Sequence, residues 1–355
     1  KITWIPKAHT DYDYFSLSTV AKSYQKEMLD WAGMSFNYKY ENHDVFYDTA
    51  DLNRHEESLR NNPQLVSQQL KKIQEAISEF IQKSEDAVAS LSFDSFQKWY
   101  ESYRTYIPAL GIVFGIEQYL EKEVKSFLSE EQYYAIAFPE ETGSAEEYKS
   151  LLNIGLKEKE YRSKEIENHV KKYAWLGNKM MLLNPFTKED IHLKKNKKDK
   201  NKKIFLKKKK KNEKEKYKGL EQVLKKLSPE QKEIVHQYRD LLYLRTARAE
   251  AICRACSITA TLFDFVAKEL QYSREELLRF SMEEIVKMYD QKERKDPGVR
   301  KKYHAKIVEG NFTVHWGEIG PREEKSDIST DLHGQIASKG KAIGMVIIVN
   351  NLEDA

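Results

Sequence analysis

The spacing of apolar positions changes character along the chain. From Pro63 the residues Leu65, Leu70, Ile73, Ile77 and Ile81 recur every three to five positions, which places them on one face of a long amphipathic helix. The same period predicts helices over 93–103, 108–128 and 145–173, the last with Ser144 and Glu147 in the spacing of a capping box, after the break at Phe138-Pro139. The most regular element begins at Ser228, with Pro229 at the first helical position and Gln231 three residues on, and runs without a breaker to Leu270. At 1.5 Å per residue it is about 60 Å long. Ser273 with Glu276 and Ser281 with Glu284 open two short helices that end before Asp296-Pro297-Gly298.

After that turn the period becomes two. Tyr303, Ala305 and Ile307 alternate with polar partners, Glu309-Gly310-Asn311 makes a turn, and Phe312, Val314 and Trp316 follow, which predicts a β-hairpin at 303–317. Residues 1–60 are aromatic-rich and irregular, with one helix over 17–31. The fold class is therefore mainly α: a multi-helix domain with a long central helix, a short hairpin near 303–317 and the first strands of another domain at the C-terminus. The domain reading is a helical region over 1–193, a Lys-rich disordered insertion at 194–218, a second helical part over 219–320, a linker at 321–331, and a new domain from Leu332 to Ala355.

Charge sharpens this division. The 355 residues carry a formal net charge of +4, yet 194–218 holds 15 lysines against Asp199, Glu213 and Glu215, so the rest of the chain is acidic. Phosphate-backbone binding would use such a tract, but its low complexity and lack of arginine favour a solvated insertion and argue against nucleic acid. The longest apolar stretch, IPALGIVFGI at 107–116, is far short of the roughly 20 residues of a membrane-spanning helix. The first residue is Lys1 and no apolar leader follows, so a cytoplasmic location and a piece cut from a longer polypeptide are expected.

Candidate chemistry is sparse. Cys253 and Cys256 form C-R-A-C, but zinc needs four ligands and the chain has no other cysteine, so no metal is expected and the pair reads as close core packing on one helical face with Thr246, Ala249 and Ala260. Arg245, Arg248 and Glu250 interrupt the apolar period in mid-helix. A buried guanidinium there requires an acidic partner, either a ligand or an internal carboxylate such as Glu250. Tyr173 and Trp175 at a helix end offer an aromatic wall or plain core. No HExxH, Ser-His-Asp ordering or GxxxxGK[ST] loop occurs.

From Leu332 the sequence LHGQIASKGKAIGMVIIVNNLEDA, with Gly334, Ala337, Ser338, Gly340, Gly344 and Val346, resembles the opening of the mobile phosphohistidine domain of phosphoenolpyruvate-utilising enzymes. HVKKYAWLGN at His169, the LRTARAE helix with Ser273-Arg274-Glu275-Glu276, and RKKYHAKIVEGNFTVHWGEIG from Arg300 look like the helical middle region of phosphoenolpyruvate synthase-like and rifampicin phosphotransferase-like proteins. WIPKAHTDYDYFSLS at the N-terminus is faintly similar. The resemblance implies a multidomain phosphotransferase in which an ATP-grasp domain, using ATP and Mg2+, phosphorylates a histidine on the swivelling domain. This chain would be the linker and acceptor platform between them, binding a small-molecule acceptor through Arg245, Arg248, Glu250, Tyr173 and Trp175. The family's carrier histidine lies in a Thr-x-His-Ala-type motif that these residues do not contain, so the 355 residues alone are expected to be inactive. The alternative is a non-catalytic helical interaction protein whose Lys tract contacts nucleic acid or an acidic partner.

Overall fold

The computed structural model describes residues 2–138, 141–156, 162–178, 181–182, 185–191, 217–298, 300 and 302–317. The expected linker at 321–331, the domain start with Gly334, Ala337, Ser338, Gly340 and Gly344, and nearly all of the Lys-rich segment lie outside the described residues.

Residues 1–60 are more regular than their composition suggests. They supply β1 (Trp4–His9), β2 (Tyr38–Glu41) and β3 (Asp44–Asp48), with β3 antiparallel to both others. Asn42 and His43 join β2 to β3 with φ of 51° and 63°, a two-residue turn whose left-handed backbone suits asparagine and matches the twist of the strands. The predicted C-terminal hairpin forms as β4 (Tyr303–Val308) and β5 (Asn311–Trp316), and β4 pairs with β2. One five-stranded sheet results, in the order β1-β3-β2-β4-β5. The expectation of an irregular N-terminus is thus overturned: Tyr38 and Tyr40 are buried while Lys39 and Glu41 pair with each other at 2.6 Å, the alternation of a strand. The β1–β3 register shifts between Pro6 and Ala8, a bulge that turns the end of β1.

The helix expected over 17–31 is two, α1 (Tyr14–Gln25) and α2 (Glu27–Ala32), broken at Lys26, whose φ and ψ of −127° and −67° are not helical. Next come α3 (Thr49–Asn61), α4 (Gln64–Ala87), α5 (Phe93–Tyr106), α6 (Pro108–Gly111), α7 (Val113–Phe127) and α8 (Glu130–Ile136). The single helix expected over 145–173 is also overturned, since α9 (Gly143–Leu156) and α10 (Arg162–Tyr173) pack side by side. The long helix α11 (Pro229–Glu269) carries the predicted capping box of Ser228 and Gln231 and extends over 41 residues. The predicted boxes at Ser273 and Ser281 open α12 (Arg274–Leu277) and α13 (Met282–Gln291).

Helix α11 packs against both α4 and α7, so its buried side chains Val235, Leu241, Leu244, Ile252, Leu262 and Val266 join two layers of helices. At its C-terminal half, Phe263 meets Phe96 and Trp99 edge-on, with ring centroids 5.1 and 5.2 Å away. Its middle turns instead face the β1–β3 end of the sheet, and there packing is incomplete. Among the described residues no helix is long and apolar enough to cross a membrane.

Candidate anion-binding site

Midway along α11 the small side chains Ala249 and Cys253 face β1 and β3. Close packing was the expectation for this stripe. Small residues opposite a bulged strand leave space instead, and a cavity of about 260 Å³ opens there. Its deeper walls include the buried Tyr47, Phe114, Asn178 and Ile252, and its exposed rim is Ala8 and His9, the end of β1 that the bulge re-aims. One turn further, Cys256 is core as expected, with its Sγ 3.4 Å from the sulfur of Met181.

Arg248 projects into this cavity and is only 9% exposed. Among the described residues its Nε is buried without a hydrogen-bond partner, and the groups that act most on its charge are Tyr106, Tyr47, Arg245 and Tyr12. Burial lowers its pKa, Tyr106 and Tyr47 act in the opposite sense, and Arg245 adds to the lowering. A guanidinium remains protonated in spite of this. Its carbon lies 5.3 Å from the centre of the Phe114 ring, a cation–π contact that offsets part of the lost hydration. An unpaired buried charge still costs several kcal/mol. The cavity beside this charge has room for an anionic partner.

The surrounding polar groups are donors or hydroxyls. Burial pushes the Tyr12 hydroxyl up to about 12, with Arg248 among the groups that oppose the rise, and keeps Tyr47 protonated at neutral pH as well. Tyr47 also shares a hydrogen bond of 2.5 Å with the Tyr24 hydroxyl, which fixes its ring. Asn178 donates through Nδ2 to the Cys253 carbonyl at 3.1 Å, and the Cys253 thiol donates back to the Asn178 carbonyl at 3.0 Å. This reciprocal clasp holds the turn at Ala174–Gly177 against α11. Burial raises the Cys253 thiol to about 11, so it is not a thiolate nucleophile at neutral pH.

The structure separates the five residues expected to act together. Arg248 alone lines the cavity. Arg245 is 44% exposed and forms an ion pair with Glu117 at 2.5 Å. Glu250 pairs with neither arginine. It closes the N-terminus of α9, accepting from the Gly143 and Ser144 amides at 2.9 and 2.7 Å and from the Ser144 hydroxyl. The expected Ser144–Glu147 capping box is therefore absent: Ser144 bonds Glu250, and Glu147 faces the buried His169 at 3.2 Å. Tyr173 packs on the same His169 with ring centroids 5.1 Å apart, and Trp175 donates to the Lys172 carbonyl at 2.8 Å, so both tie α10 to its surroundings rather than wall the cavity.

Sequence reasoning missed Tyr12, Tyr47, Phe114 and Asn178. The first belongs to the WIPKAHTDYDYFSLS segment, whose only signal was its faint family likeness. Among the described residues, no group of three or more His, Cys, Asp or Glu side chains is placed to hold a metal ion. Comparison of the chain with known protein families, curated proteins and solved structures finds no match.

Proposed function

We propose that the chain is the helical middle part of a multidomain phosphotransferase resembling the phosphoenolpyruvate-utilising enzymes, and that the Arg248 cavity holds its phosphoryl acceptor. The observation that carries the binding role is the buried, unpaired guanidinium at an accessible cavity, an arrangement that costs stability and is repaid only by an anionic ligand. The family resemblance supplies the reaction class. On this reading ATP and Mg2+ are bound by the nucleotide-binding domain, the phosphoryl group is delivered by the swivelling domain, and this region presents the acceptor. A mobile carrier lets two distant sites share one intermediate, while each site performs in-line transfer with its own charge stabilisation. The chain's own contribution is to bind the acceptor through Arg248 and to exclude water with Phe114, Ile252 and Tyr47.

The test is labelling of the intact polypeptide with γ-phosphate-labelled ATP. An acid-labile, base-stable phosphohistidine in the parent protein, and none on the 355-residue chain alone, is the expected result. A parent polypeptide that takes up no label contradicts the phosphotransferase reading.

A further inference from the structure

The charge inventory of the cavity limits the chemistry of what it can hold. Arg248 is the one cation in its described lining, and no carboxylate accompanies it. His9 stands at the exposed rim, where its Nδ1 is within 2.9 Å of the Asp44 carboxylate and is thereby engaged. Arg245 is occupied by Glu117 outside the cavity, and the Lys7 ammonium, 6.0 Å from the Phe114 ring, is outside the lining as well.

Sites for phosphate esters gather several cations or an open helix N-terminus around a charge of about −1.5 to −2. Among the described residues the cavity lining holds one arginine, and that arginine lies far from any helix start. The backbone at Arg248 lies in the middle of a 41-residue helix. Phe114 stands near the start of α7, but α6 runs into α7 through Ile112, whose amide bonds the Pro108 carbonyl and whose carbonyl accepts from Ile116. The two helices are thus joined there with barely a break.

Around the guanidinium the lining includes the apolar and aromatic Phe114, Leu110, Ile252 and Val45, together with Tyr12 and Asn178. One positive charge, hydrogen-bond donors and an apolar body match a single carboxylate on a small apolar or aromatic skeleton. We infer that the cavity selects a small aromatic or apolar monocarboxylate over a phosphorylated ligand. This deepens the acceptor reading and rests on it. The same inventory favours product departure, because an acceptor that has gained a phosphoryl group brings additional negative charge for which the described lining holds no further cation.

The experiment is calorimetric titration of the 355-residue chain with benzoate, phenyl phosphate and benzamide at physiological salt, repeated on Arg248→Met and Ala249→Phe. Benzoate is expected to bind at least tenfold more tightly than phenyl phosphate or benzamide, with a loss of tenfold or more in Arg248→Met. Ala249→Phe fills the cavity from its exposed side without touching the charge, and is expected to remove binding while unfolding at the temperature of the parent chain. Phenyl phosphate binding more tightly than benzoate, with its affinity still dependent on Arg248, would overturn the carboxylate selectivity and leave the anion site intact. Absence of binding by every probe, or benzoate affinity indifferent to both substitutions, would overturn the selectivity and the acceptor site together.

Discussion

Tyr106 donates its buried hydroxyl to the main-chain carbonyl of Arg248, 142 residues away, at 2.6 Å. The bond ties α5 to α11 at the residue whose Nε lacks a hydrogen-bond partner among the described residues, so the backbone is held independently of the guanidinium. Tyr106→Phe is expected to cost about 1 kcal/mol, the net worth of a neutral hydrogen bond. Arg248→Met is expected to do the reverse. Exchange of a lone buried charge for an apolar chain of similar length removes a desolvation penalty and should stabilise the fold by about 1–3 kcal/mol. Urea unfolding of the two variants checks both signs, and a destabilised Arg248→Met would mean that the guanidinium has an internal partner.

Arg245 provides the contrast. Its ion pair with Glu117 is exposed to solvent on the arginine side, and such pairs contribute about 0–1 kcal/mol. Arg245→Met is therefore expected to change stability by less than about 1 kcal/mol and to leave benzoate affinity within twofold of the parent. A tenfold loss of affinity would place Arg245 in the site after all.

The difference between these two arginines was not legible in the sequence. Both interrupt one apolar period three residues apart, and which of them meets a carboxylate depends on α7, which sets Glu117 beside Arg245 and Phe114 beside Arg248. Helix existence was legible wherever a cap and a period coincided, as at Ser228, Ser273 and Ser281. At Ser144 the helix start was legible but its cap was not, because Glu250, 106 residues away, took the amides. The N-terminal strands were hidden because their aromatic residues are distributed among turns and helix starts. The alternation of Phe36, Tyr38 and Tyr40 was the available signal, and the strand that completes the pairing of β2, Tyr303–Val308, is far along the chain.

Gly115 marks a contact where side-chain size decides stability. A Cβ there would lie 2.0 Å from Nδ1 of His55, a ring with no exposed surface, so the neighbour has nowhere to move. Gly115→Ala should gain helix propensity of about 1 kcal/mol yet destabilise the protein overall by about 1–3 kcal/mol through overpacking of α3 against α7. Thermal unfolding measures this, and an unchanged or raised midpoint would contradict it.

Two buried groups give stability an opposing dependence on acid. Burial lowers His55 from 6.5 to about 4, so between these values the unfolded chain holds a proton that the folded one lacks, and stability falls as pH falls. Burial raises Asp13 from 3.8 to about 6, opposed by its hydrogen bonds from Ser16 and Met181. There the folded chain holds the extra proton, and stability falls as pH rises through that window. Each contributes up to about 1.4 kcal/mol per pH unit, and from pH 4 to 6 they cancel. Relative to the parent chain, Asp13→Asn, which keeps the cap on Ser16, should become steadily more stable as pH rises from 4 to 6. His55→Gln should become less stable over the same interval. Urea unfolding at each pH follows both, and parallel profiles for the three proteins would contradict the assignments.

Whether the guanidinium of Arg248 receives a carboxylate is read most directly from its own Nε–H signal in a protein labelled with nitrogen-15 arginine. On addition of benzoate that signal is predicted to move in a single saturable step, while the signal of Arg245 stays in place and the Ala249→Phe protein shows no movement of either. A signal of Arg248 that stays fixed at saturating benzoate, or that moves unchanged when Ala249→Phe has filled the cavity, would contradict the assignment of this cavity as a carboxylate site.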